Sequence, residues 1–189
     1  MTVTSTSTLR QVVEAVSRTL NAHGIRAVLT GGACASLHSR GDYLSRDLDY
    51  IIQGRVTRAE LDAALAAVGF ARDGASYTHP RSLFFVEFPA GPLAIGDDDL
   101  VEPVVVQVGH APVLCLSATD SCRDRLAAFY HWNDRQSLDV AARIARHQRV
   151  NMRAIRAWSV REGKETKYVE FAEAVSRMRK VRRHPRHQP

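Results

Sequence analysis

The segment Ser45-Arg46-Asp47-Leu48-Asp49-Tyr50-Ile51-Ile52 carries two carboxylates separated by a single apolar residue. On an extended strand residues i and i+2 project from the same face, so Asp47 and Asp49 stand side by side. Two like charges at that spacing repel, and bridging cations relieve the repulsion. Mg²⁺ suits such a pair, because it takes one or two carboxylates and fills the rest of its shell with water and substrate phosphate oxygens. Upstream lies Leu29-Thr30-Gly31-Gly32-Ala33-Cys34-Ala35-Ser36. The glycine pair at Gly31 and Gly32 lets backbone amides approach a phosphate without obstruction by side chains. Together the two stretches point to metal-assisted chemistry on a phosphate ester.

These residues need elements to hold them. Leu9, Val12, Val13, Val16 and Leu20 recur at three- and four-residue steps and Gly24 follows, which predicts an amphipathic helix over 8–23. Ile25–Leu29 reads as a short buried strand that runs into the glycine turn, and the small residues Ala33–Ser36 open a second helix. Asp47–Ile52 reads as an interior strand. Thr57 and Glu60 form a capping-box pattern ahead of Leu61, Leu65 and Val68, with Gly69 closing the helix. Ser82–Phe88, Leu93–Ile95, Pro103–Val108 and Val113–Leu116 are further strand candidates. After Ser117 the periodicity becomes helical, over about 118–132, 136–148, 151–161 and 166–180. The expected organisation is a mixed sheet with helices in residues 1–116, a helical region in 117–180 packed directly on the sheet, and a basic tail in 181–189.

Composition excludes several classes. With 45% hydrophobic and 24% charged residues the chain has the make-up of an ordinary globular protein rather than a disordered one. The first twenty residues lack the pattern of a signal peptide and no stretch is apolar enough to span a bilayer, so no membrane role and a cytoplasmic location are expected. Cys34, Cys115 and Cys122 are odd in number and set among apolar residues, which predicts buried free thiols. His79, His110 and His131 lie in unrelated segments and His184 and His187 in the tail, so no transition-metal site is expected. Trp132 and Trp158 read as packing residues. Residues 143–189 carry 14 Lys/Arg against 4 Asp/Glu, whereas residues 1–142 carry 12 against 16. An acidic part beside a basic one fits a catalytic half next to a surface for a polyanion.

The strand, glycine turn, helix and D-x-D strand resemble the nucleotidyltransferase fold of the DNA polymerase β superfamily. Ser117–Tyr130 and Asn133–Asp139 in turn resemble the third and fourth motifs of the AbiEii-like and MenT toxin nucleotidyltransferases. The resemblance covers about residues 25–145. It implies an α+β fold with a C-terminal helical bundle and two Mg²⁺ ions. The metal carboxylates would be Asp47, Asp49 and a third from a neighbouring strand, for which Glu87 in Phe84–Phe88 is the candidate. It implies a nucleoside triphosphate substrate contacted by Gly31, Gly32, Arg46 and a basic residue matching Arg123, with Arg125 as substitute. An essential aspartate would be Asp139 or Asp134. It further implies transfer of a nucleotide to the 3′ end of tRNA and a cognate antitoxin protein. Transfer to an aminoglycoside-type small molecule, or a degenerate binding module, are the alternatives. Ala33 stands where many relatives carry a phosphate-binding hydroxyl.

Overall fold

The structure is a computed structural model and describes residues 3–181. Of the expected basic tail, residues 182–189 lie outside that range. The first helix, α1 (Leu9–Ala22), starts at a capping box in which Thr8 and Gln11 satisfy each other's backbone amides. The chain continues through β1 (Ala27–Leu29), α2 (Gly31–His38), β2 (Asp47–Ile52) and α3 (Arg58–Ala66). The expected Thr57/Glu60 capping box opens α3, and β2 has its expected bounds.

Five more strands follow: β3 (Ala71–Asp73), β4 (Ser76–Thr78), β5 (Phe85–Glu87), β6 (Val104–Val108) and β7 (Ala111–Cys115). All seven form one sheet in the order β3-β4-β5-β2-β1-β7-β6. It is mixed: β1 pairs antiparallel with β2 and parallel with β7, and β2 pairs parallel with β5. The β3–β4 hairpin was not expected, since Ala71, Arg72 and Asp73 are all exposed and show no alternation. Leu93–Ile95 is not a strand; Ile95 makes only an isolated bridge to Asp98. The helices α4 (Ala118–Trp132), α5 (Arg135–His147), α6 (Met152–Arg161) and α7 (Glu165–Val181) lie within a residue or so of expectation. They do not rest mainly on the sheet. α4 and α5 dock on α2, while α6 and α7 pack against α4 and α5. None of the described helices is long and apolar enough to cross a membrane.

One face of β2 anchors this arrangement. Leu48 and Tyr50 are fully buried, and the Tyr50 hydroxyl is 2.9 Å from Ser17 Oγ on α1. That pins the back of the strand to the helix, so Asp47 and Asp49 must project from the other face. Tyr50→Phe keeps the ring and removes this buried hydrogen bond. It is expected to lower unfolding stability by about 1 kcal/mol with unchanged secondary structure, as read by urea denaturation. An unchanged midpoint would show that the bond contributes nothing.

Candidate active site

Where β1 ends, Thr30 crosses to β2: its N–H donates to the Asp49 carbonyl at 2.8 Å and its hydroxyl does so at 3.3 Å. The next residue has no room for a side chain. Gly31 takes φ +60°, and a Cβ there would lie 2.2 Å from Asp49 Oδ2. A Cβ on Gly32 would lie 2.4 Å from Ser45 Oγ. Both glycines are therefore fixed by close approach, the first also by its left-handed backbone. α2 begins at this turn, and the amides of Gly31, Gly32 and Ala33 donate to no acceptor among the described residues. Such unpaired amides at a helix start suit an anion. Ser36, one turn on, is occupied within the fold, donating to the Gly32 carbonyl at 2.9 Å and accepting from Ser45 N–H at 3.1 Å.

The parallel register of β2 and β5 sets Asp49 opposite Glu87 and Asp47 opposite Phe85. Residues in register share a face, so Asp47, Asp49 and Glu87 form one acidic group. Glu87 accepts from Ser76 Oγ at 2.7 Å. The carboxylates of Asp47 and Asp49 accept no hydrogen bond and make no salt bridge among the described residues. Other carboxylates that press on a glycine behave differently: Glu14 at Gly109 accepts the His110 amide at 2.9 Å, and Glu162 at Gly96 accepts the Asp97 amide at 3.1 Å. Burial, then the charges of Asp47 and Glu87, push the Asp49 carboxyl up to about 6, with Arg125 offsetting part of the rise and Asp124 adding to it. Hard oxygen donors with free lone pairs and surplus negative charge are the donor set that Mg²⁺ requires.

The basic partner is not the one expected. Arg123 is buried in the helical region, where it donates to Asp120 at 2.8 Å, pairs with Asp98 and lies 5.1 Å above the Trp158 ring. Its charge is neutralised there. Arg125 is the arginine whose charge reaches Asp49, and it grips Asp124 through Nε and a terminal nitrogen at 2.9 and 2.7 Å. Asp124, missed in the sequence, joins the acidic group through that pair.

Asp134 and Asp139 have partners within the fold. Asp134 caps α5, accepting from Gln136 N–H at 2.9 Å and Ser137 Oγ at 2.6 Å, and also feels the Arg125 charge. Asp139 accepts from Arg143 Nε at 2.7 Å, and Arg143 reaches the Asp42 carbonyl at 2.9 Å, so this pair braces the α2–β2 loop. Arg46 has an exposed side chain, and its carbonyl accepts the Phe85 amide at 3.1 Å, starting the β2–β5 pairing. Trp158 is buried and stacks on Tyr130 with centroids 5.3 Å apart, but Trp132 is 78% exposed, contrary to its expected packing role.

All three cysteines are buried and free, as expected. Two of them are not isolated. Cys34 on α2 and Cys115 at the end of β7 meet His38, with ligand atoms within 4.8 Å of one another. The Cys34 thiol is held well above its ordinary range by its hydrogen bond with Cys115 and by burial, and the Ser121 hydroxyl pulls the other way. The available sequence signal was the one-turn spacing of Cys34 and His38.

The Asp49 pKa yields a pH-dependent prediction. A carboxyl that titrates near 6 when folded and near 3.8 when unfolded holds its proton more tightly in the native state. Native stability therefore falls as pH rises through that window, and the loss is complete above it. Asp49→Asn, measured without divalent ions, should stabilise the protein at pH 8 by at most about 3 kcal/mol and hardly at all at pH 4. An equal effect at both pH values would contradict the electrostatic origin.

No protein-family model and no curated protein matches the chain. A solved structure does: an antigenic nucleotidyltransferase-like protein from Paracoccidioides brasiliensis superposes with a TM-score of 0.57 at 19% identity, over 75% of this chain and 76% of that one. With its seven-stranded mixed sheet, flanking helices and C-terminal helical region, this chain has a nucleotidyltransferase-like α+β fold.

Proposed function

We propose that this protein is a Mg²⁺-dependent nucleotidyltransferase that takes a nucleotide from a nucleoside triphosphate and adds it to RNA, with the 3′ end of tRNA as acceptor. The observation that carries this reading is the convergence of an amide-bearing glycine turn on the Asp47 and Asp49 carboxylates, which accept no hydrogen bond and make no ion pair among the described residues. Asp47, Asp49 and Glu87 would hold the metal. Bound there, divalent ions supply Lewis-acid polarisation of the reacting oxygens and neutralise triphosphate charge. The amides of Gly31, Gly32 and Ala33 donate to phosphate oxygens. Arg125 contributes a guanidinium facing the same group, with Asp124 fixing its orientation. In the reaction the acceptor hydroxyl oxygen bonds to the α-phosphorus, the bond to the bridging oxygen breaks, pyrophosphate leaves with the electron pair, and the hydroxyl proton is released to water.

The RNA acceptor rests on the basic C-terminal region and on the resemblance to AbiEii-like and MenT toxins, which also implies an antitoxin partner. Part of that basic charge is used internally: Arg143, Arg146, Arg156, Arg161 and Arg177 each pair with a carboxylate. Arg149 and Arg153 are exposed and make no ion pair among the described residues, which leaves them for phosphates.

The test is incubation of the purified protein with Mg²⁺, each labelled nucleoside triphosphate and total cellular RNA. Label is expected in tRNA-sized bands and is expected to vanish in Asp49→Ala. Label on an aminoglycoside and none on RNA would replace the acceptor, and no label on either would mark a degenerate binding module. Arg125→Ala is expected to reduce labelling by the folded protein roughly 100-fold, with the stability lost by leaving Asp124 unpaired read separately by urea denaturation. Arg123→Met, which removes the cation shared by Asp98 and Asp120, should lower stability by about 3 kcal/mol and leave labelling by the folded protein largely unchanged. The reverse pattern in the two variants would return the phosphate role to Arg123.

A further inference from the structure

We propose that Cys34, His38 and Cys115 form a structural zinc site, separate from the acidic group and buried between α2, the end of β7 and the start of α4. Cys34 and His38 lie one helical turn apart on α2 and so share a face. Cys115 closes β7 beside Leu29 of β1, which brings a third donor to that face. The three ligand atoms lie within 4.8 Å of one another, close enough for one ion to bind all three. Both thiols are fully buried and His38 is nearly so.

A second observation points to the same ion. Ser121, in the first turn of α4, is fully buried and its Oγ has no hydrogen-bond partner, although it faces the Cys34 thiol. A buried hydroxyl left unpaired is costly, and a thiolate beside it removes that cost. Structural zinc shells are built from cysteine and histidine, so this hydroxyl serves as a donor to the Cys34 thiolate that zinc binding creates rather than as a ligand. The Leu116 carbonyl, 2.9 Å from His38 Nε2, holds the imidazole from outside.

Charge selects the metal. Two thiolates and a neutral imidazole carry −2, which Zn²⁺ cancels, whereas a monovalent copper ion would leave a net charge in an apolar interior. Soft sulfur donors disfavour Mg²⁺. The bound ion would clamp α2, whose start carries the glycine turn, to β7 and to α4, which carries Arg125. Because the site is enclosed, the metal must enter as the chain folds.

The experiment measures zinc in the purified wild type, Asp49→Ala and Cys115→Ser proteins, and refolds each from denaturant with Co²⁺. About one zinc per chain and a thiolate-to-cobalt charge-transfer band are expected in wild type and in Asp49→Ala, and both are expected to be lost in Cys115→Ser. Asp49→Ala keeps this outcome independent of nucleotide transfer. If Cys115→Ser fails to fold, the wild-type cobalt spectrum decides alone, since carboxylates give no thiolate band. Zinc-free wild type that yields no such band on refolding, or a Cys34–Cys115 disulfide seen by mass, would overturn the assignment.

Discussion

The structure is organised around a concentration of negative charge that it does not neutralise. Asp47, Asp49 and Glu87 share one face of two paired strands, Asp124 adds to them, and Arg125 is the cation that answers. Like charges held together destabilise the folded state unless something else supplies the difference. The compensation lies directly behind: Leu48, Tyr50 and Val86 alternate with the acids and are fully buried, so each strand is held by one face while the other carries the strain. Packing of this kind is stiff, and it keeps carboxylates from relaxing apart. Thr30 and Gly31 tighten the arrangement further by bringing the backbone against Asp49.

Other acids in the chain show what a neutralised carboxylate looks like here. Glu14 and Glu162 each accept a backbone amide, Asp134 caps a helix, and Asp98 and Asp120 share Arg123. The fold thus has the means to satisfy acidic side chains, and it does so repeatedly. Leaving Asp47 and Asp49 without such partners is therefore a local property of β2 and not a general looseness of the structure. The same reasoning recasts the charge imbalance of the sequence, because part of the C-terminal basic charge is paired within the helical region, with the α2–β2 loop and with Asp98 before β6.

What could be read from the sequence was whatever local rules determine. The Thr57/Glu60 capping box set the start of α3, the three- and four-residue apolar spacing from Leu9 to Leu20 set α1, and alternation set β2 to the residue. Glu87 was the candidate for the third carboxylate that the resemblance implies on a neighbouring strand, and the β2–β5 register sets it opposite Asp49. The exposed β3–β4 hairpin had no pattern to betray it. The Cys34–His38–Cys115 cluster joins residues far apart in the chain, and only the parallel pairing of Leu29 with Cys115 brings them together. Tertiary proximity of that kind leaves no periodic trace.

Arg123 and Arg125 show the limit most sharply, because both are arginines in the same motif. At 3.6 residues per turn, two positions apart on a helix differ by about 200° in direction, so one of them must face away when the other faces the site. The apolar residues of α4 do not choose between them. Cys122, Leu126 and Phe129 are buried against the neighbouring helices and define an inner face, but the two arginines flank it on opposite sides. What decides is the docking of α4 on α2, together with the Trp158 ring and the Asp98 carboxylate, which wait on one flank. Neither lies within reach of a local rule, since one comes from α6 and the other from the loop before β6. An arginine buried beside two carboxylates and an indole is held by the fold; the arginine on the opposite flank is the one left to face Asp49.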